Sequence, residues 1–83
     1  MKLYFGCGNH KVEGFIGVDK VKTAHADILH DMNVYPYPFA DNTVDEALLI
    51  NILEHFPDII RVMEEIWRIC KKKFKCVRIR LYF

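Results

Sequence analysis

The sequence predicts an α/β fold: a mostly parallel sheet of about five strands with one strong amphipathic helix. Three observations carry this expectation. Short apolar runs recur along the chain, and the first four end on a glycine, an acid or an asparagine. Loops or a helix, not two-residue hairpin turns, separate them. The runs are also apolar almost throughout, as strands covered on both sheet faces are.

Taken in order, Lys2-Leu3-Tyr4-Phe5 is an apolar-aromatic run stopped by Gly6-Cys7-Gly8-Asn9. It reads as a buried strand feeding a tight loop. Gly14-Phe15-Ile16-Gly17-Val18-Asp19 gives a second strand that ends on a carboxylate, and Ala26-Asp27-Ile28-Leu29-His30-Asp31 a third that does the same. From Asn33 to Asn42 the chain holds Pro36, Pro38 and Asp41-Asn42, which forbid a helix and mark a loop. Val44 to Ile50 is the fourth strand, followed by Asn51 and by a segment that Pro57 closes.

The helix begins at Asp58, a favourable N-cap residue. Ile59, Val62, Met63, Ile66, Trp67 and Cys70 recur at three-and-four spacing, predicting one buried stripe with Arg61, Glu64, Glu65 and Arg68 on the wet side. After Lys71-Lys72-Lys73, residues Phe74 to Phe83 read as a fifth strand.

Eighty-three residues make one small domain at most, and 52% apolar with 13% aromatic residues is rich for that length. Such a chain expects more protein around it; the alternative is a small globule or an oligomer that shares its core. Net charge is +1, yet no acid follows Glu65 while Arg68, Lys71, Lys72, Lys73, Lys75, Arg78 and Arg80 do. A basic end of this kind can meet nucleic acid or phospholipid. Phe74, Cys76, Val77, Ile79 and Leu81 interrupt the charges as a strand would, favouring a helix end that answers its own dipole and an exposed turn. Cys7, Cys70 and Cys76 show no paired metal or redox spacing, no leader opens the chain, and no apolar run is long enough to span a membrane. The expectation is a cytoplasmic protein with reduced cysteines.

Chemistry concentrates at the strand ends. Glycines at Gly6 and Gly8 allow a tight bend and let a ligand approach bare backbone, although any turn uses such residues. In open parallel sheets ligands sit outside the carboxyl ends of the strands. Asp19 there could accept hydrogen bonds from ribose hydroxyls, Asp31 could meet an adenine amino group, and Asn51 would lie beside the glycine bend if its strand neighbours the first. Each is a solvated surface residue when read alone; their joint placement is what points to a nucleoside.

In this order the segments resemble a family. Leu3-Tyr4-Phe5-Gly6-Cys7-Gly8-Asn9, Glu13 to Asp19, Ala26 to Asp31, Tyr37 to Asp45 and Leu53 to Asp58 look like the opening of class I S-adenosylmethionine-dependent methyltransferases of a type 11-like subgroup, with a shortened first helix. The resemblance implies a partial doubly wound, Rossmann-like sheet over residues 1–83 that is the cofactor-binding half of the domain, without the family's C-terminal strands. By resemblance, Gly6, Cys7 and Gly8 pass beneath the methionine part of S-adenosyl-L-methionine, Asp19 holds the ribose, Asp31 with Met32 borders the adenine, and Asn51 lies near the sulfonium. It assigns no catalytic residue and no metal, and leaves Glu54 and His55 as structural, capping or pocket-lining.

Departures accompany it. Tyr4 stands where the family has an acid or asparagine, and Lys71-Lys72-Lys73 replaces a proline-glycine turn. The expected function is methyl transfer to an unknown acceptor, with little or no turnover unless a partner completes the domain. A homo-oligomer through the exposed sheet edge is one such completion; neither a membrane nor nucleic acid is favoured as partner. The alternatives are a non-catalytic interaction module using the basic end and sheet edge, and a metal site from Cys7, His10, His25 and His30, which lack ligand spacing.

Overall fold

The computed structural model describes residues 1–50, 52, 55–71 and 73–80, with the backbone alone at 73, 74 and 80. The elements run β1 (Lys2–Phe5), β2 (Ile16–Asp19), β3 (Ile28–Leu29), β4 (Glu46–Ile50), α1 (Ile59–Ile69), α2 (Lys73–Cys76) and β5 (Val77–Arg80). They build a five-stranded sheet in the order β3-β2-β1-β4-β5, with every pairing parallel. The chain therefore steps outward from β1 to β3, then returns to the other side of β1 for β4. That reversal is the switch point where open α/β sheets form a ligand crevice. Phe5 pairs with both Val18 and Leu49, and Val18 with Ile28, so four strands deliver their carboxyl ends to one edge.

Side-chain alternation sorts the core. Leu3, Phe5, Val18, Ala47 and Leu49 turn toward α1, where Val62, Ile66 and Ile69 meet them fully buried. Tyr4 and Leu48 turn the other way and pack with Cys7 in a smaller cluster flanked by Val12, Phe15, Ala26 and Ile50. Both faces are thus covered as expected, the second, among the described residues, by a loop rather than a helix.

Between β3 and β4 the proline-rich segment forms a loop, as its composition requires, with a cis Tyr35–Pro36 bond. Its aromatic rings supply core: Tyr37 and Phe39 lie 6.0 and 6.3 Å from the Phe5 ring. A polar clamp fastens this loop to α1. Glu65, only 4% exposed, accepts the Tyr37 backbone N–H at 2.7 Å and bonds from Arg68. Arg68 in turn donates to the Phe39 and Tyr37 carbonyls and to Asp41.

That clamp explains why the apolar stripe of α1 is not the expected one. The buried residues are Val62, Glu65, Ile66 and Ile69, whereas Ile59 and Trp67 are substantially exposed. Burying Glu65 rotates the helix so that a charged flank faces the loop. The N-cap holds as expected, with Asp58 accepting the Arg61 N–H at 3.0 Å. At the other end Cys70 leaves in an extended conformation, φ −78° and ψ 133°, and bridges to Val44, so no left-handed cap is used.

Two further expectations change here. The fifth strand does not start at Phe74; α2 intervenes and β5 begins at Val77. Residues 81–83 lie outside the described residues. Cys70 and Cys76 are joined as a disulfide with Cα atoms 5.9 Å apart, leaving only Cys7 as a thiol, which corrects the reading of three reduced cysteines. Their six-residue separation fits no common motif; the crossover from α1 into β5 is what brings them together. No helix of the described chain is long and apolar enough to cross a membrane.

Candidate functional site

The bend after β1 is held from two sides. Gly6 and Gly8 take φ values of +69° and +55°, the left-handed region that side chains rarely enter. The Gly6 N–H donates to the Val18 carbonyl at 2.7 Å, extending the β1–β2 pairing into the bend. The Gly8 N–H donates to Asp19 Oδ2 at 2.9 Å, and the Thr23 hydroxyl donates to the Gly8 carbonyl. A Cβ on Gly6 would lie 2.8 Å from Ile52 Cγ2, so the residue after β4 closes tightly over the bend.

Beside this bend lies a cleft of about 240 Å³. Gly6, Val18, Asp19 and Lys20 form one side, and His30, Asp31, Met32 and Asn33 from the turn after β3 form a second. Ile52, His55 and Phe56, from the segment after β4, supply the third. The cleft thus opens at the carboxyl edge of the sheet, with acids set among apolar walls. It is smaller than the roughly 300–1,000 Å³ of whole ligand pockets, a size suited to part of a nucleoside-bearing ligand.

Each acid is positioned by its own local backbone. Asp19 Oδ1 accepts the Lys20 N–H at 2.7 Å while Oδ2 takes Gly8. The Val21 N–H also donates to Oδ1, at 3.4 Å, so of the about four acceptor positions of a carboxylate one remains, on Oδ2, for a ligand hydroxyl. Asp31 Oδ1 accepts the Asn33 N–H at 2.9 Å, folding the turn that carries Met32. Met32 is buried, and its carbonyl accepts the Tyr37 hydroxyl at 3.0 Å, tying this wall to the clamped loop. Burial pushes the Tyr37 phenol well above its ordinary value, so it remains a donor. His30 Nε2 donates to the Val34 carbonyl at 2.8 Å, and its ring stands edge-on to Tyr37 at 5.5 Å.

Of the seven residues singled out in the sequence, Gly6, Asp19, Asp31 and Met32 line this cleft together. Cys7 and Gly8 do not. The Cys7 side chain is buried against the opposite sheet face, near Gly17, and burial raises its thiol pKa, with Asp19 adding to the shift. Gly8 acts through its N–H on Asp19. Asn51 lies outside the described residues, as does Glu54. The residues that composition did not reveal are His30, Ile52 and Phe56; their only sequence signal was position, just after the third strand and after the fourth. Among the four candidate metal ligands, His30 lines this cleft while His10 and His25 line a separate pocket that also contains Tyr4 and Asp27. They do not converge on an ion, and no other group of three such ligands occurs among the described residues.

A family model described as a methyltransferase domain matches residues 10–77. The chain belongs to the methyltransferase domain family. Its parallel sheet and strand order are those of a partial class I, Rossmann-like member. No curated protein and no solved structure matches the chain. The match covers Asp19, Asp31 and Met32, while the glycine bend lies just ahead of it. In this methyltransferase domain the departure at Tyr4 has a local outcome: the ring joins Cys7 and Leu48 in the smaller core. Asp19 and Thr23 hold Gly8 in place.

Proposed function

We propose that this methyltransferase domain binds S-adenosyl-L-methionine in the cleft beside the glycine bend. The observation that carries the reading is that Gly6 and Asp19 line one cleft at the switch point, with Gly8 bonded to the Asp19 carboxylate. The residues fit the nucleoside end of such a donor. Asp19 would accept a ribose hydroxyl on the free position of Oδ2, and Asp31 would face the adenine amino group. Met32, Ile52 and Phe56 would flank a flat base, while Gly6 leaves backbone bare for the methionine part. Asn51 would complete the site near the sulfonium.

When bound, that donor supplies a methyl group already activated on a sulfonium. The protein's share is therefore to hold and orient, not to move protons, which is why no catalytic acid or base is assigned. The clamp from Glu65 and Arg68 serves that end by fixing the loop behind Met32. The methyl acceptor is not assigned.

Thermal unfolding with and without S-adenosylhomocysteine tests binding. A ligand held only by the folded form stabilises by about 2.7 kcal/mol at one hundred times its Kd. A saturable rise in Tm supports the reading, and an unchanged Tm up to millimolar ligand counts against it.

A further inference from the structure

The crossover from α1 into β5 is pinned firmly at one end and lightly at the other. On the α1 side the backbone is fixed to the loop ahead of β4. The Thr43 and Val44 N–H groups donate to the Ile69 carbonyl, and the Lys71 N–H donates to the Val44 carbonyl, each at 2.9 Å. Cys70, between Ile69 and Lys71, is therefore a fixed point. The β5 side is held by less. Among the described residues β5 lies at the end of the sheet order and pairs with β4 alone. Ile79 is 44% exposed, and the Arg78–Glu46 ion pair, at 3.4 Å, is solvated enough to add little. A short strand with one neighbour and little buried apolar surface is the kind of segment that opens locally. What joins the two sides is the Cys70–Cys76 disulfide, placed immediately before β5 begins.

We propose that this disulfide is a redox latch on β5: oxidised, it holds the strand on β4; reduced, it lets β5 part from the sheet and bare the outer edge of β4. The geometry gives the latch its reach. With the bond made, the Cα atoms of Cys70 and Cys76 stand 5.9 Å apart. With it broken, the six residues of chain from one to the other can extend to about 20 Å. That is enough to carry the start of β5 off a neighbouring strand about 4.8 Å away. Little replaces the lost bond. Cys76 Sγ lies 3.5 Å from the Val44 carbonyl, where a thiol is a weak donor. Release leaves Ala47 to Ile50 without partners on that side, and an unpaired strand edge is a template for pairing with another segment. The step balances as a two-electron exchange with a dithiol. Its thiolate attacks one sulfur and forms a mixed disulfide; its second thiol then closes on the first, leaving two cysteine thiols. Both cysteines are fully buried, so attack follows opening of the crossover, and Cys70, held in place, stays ready to reform the bond.

Hydrogen exchange read by mass spectrometry on the full chain, oxidised and in dithiothreitol, tests this. Amides of Val77–Arg80 should exchange at least about tenfold faster in the reduced protein. Exchange in α1 and β1 should be unchanged, and reoxidation by oxidised glutathione should restore slow exchange in β5. Cys76→Ser should exchange fast in β5 with or without dithiothreitol. Should that variant lose its fold, the two redox states of the wild type still decide the question. Equal β5 exchange in the two states overturns the proposal. So does acceleration of every element together, which would make the bond a support of the whole fold. A response to dithiothreitol that persists in folded Cys76→Ser overturns it too, since the bond could not then be its source. None of these readouts depends on cofactor binding.

Discussion

The Gly8 backbone N–H donates to Asp19 Oδ2 at 2.9 Å, joining the bend after β1 to the carboxylate at the end of β2. One bond thereby fixes the shape of the bend and aims the acid. Because Gly6 and Asp19 line the same cleft, anything held by the carboxylate also lies against the bend. Asp19→Ala should therefore act even on the empty protein. Losing the acceptor for a part-buried N–H costs about 1–2 kcal/mol, which urea unfolding of wild type and variant should show as a lowered midpoint with unchanged slope.

Two glycines should respond very differently to a single methyl group. A Cβ at Gly17 would lie 2.2 Å from the His25 carbonyl oxygen and 2.8 Å from Cys7 Sγ. Backbone blocks it, so Gly17→Ala should cost about 3 kcal/mol or more, the upper end of overpacking, and leave little folded protein by circular dichroism. At Gly6 the obstacle is the flexible Ile52 side chain. Gly6→Ala should cost about 1–3 kcal/mol through its left-handed backbone, and Ile52→Ala should recover part of that loss in the double variant.

Acid should loosen the loop behind the cleft. Hydrogen bonds from Arg68 hold the Glu65 carboxyl below its ordinary value near 4.5, against an opposing push from burial. A depressed folded-state pKa stabilises above the unfolded value and loses that contribution as pH falls through the folded one. Wild type should thus lose stability as pH drops below about 4.5, and Glu65→Gln should flatten that slope. Glu65→Ala, which leaves the buried Tyr37 N–H without its acceptor while Arg68 keeps Asp41 and two carbonyls, should cost about 1–3 kcal/mol at neutral pH.

A thiol count checks the cysteine pairing. Denatured protein prepared without reductant should titrate one thiol per chain, from Cys7, with Cys70 and Cys76 joined. Three thiols would contradict the pairing.

Much of this site was legible in the chain because the rules of a parallel sheet are local. Once the strands lie parallel, a glycine bend after one apolar run and acids ending the next two must arrive at the same sheet edge, and Gly6, Asp19, Asp31 and Met32 meet accordingly. The orientation of α1 was not legible. Amphipathic patterning counts Glu65 and Arg68 as wet, yet their partners are backbone groups and Asp41 from a loop some thirty residues earlier. Hydropathy cannot register such a bond, so the stripe is misplaced by the rotation that buries Glu65. Ile52 and Phe56 escaped for a related reason, since an apolar residue after a strand looks like core whether or not a cleft opens beside it.

The most direct test is calorimetric titration of S-adenosylhomocysteine into wild type and Asp19→Ala, each shown by circular dichroism to be folded under the conditions used. Saturable binding at one site per chain, weakened at least about tenfold by Asp19→Ala, is the predicted result; about 1.4 kcal/mol corresponds to that factor. No heat of binding to folded wild type, or equal affinity in the two proteins, would contradict a nucleoside site built on the bend and Asp19.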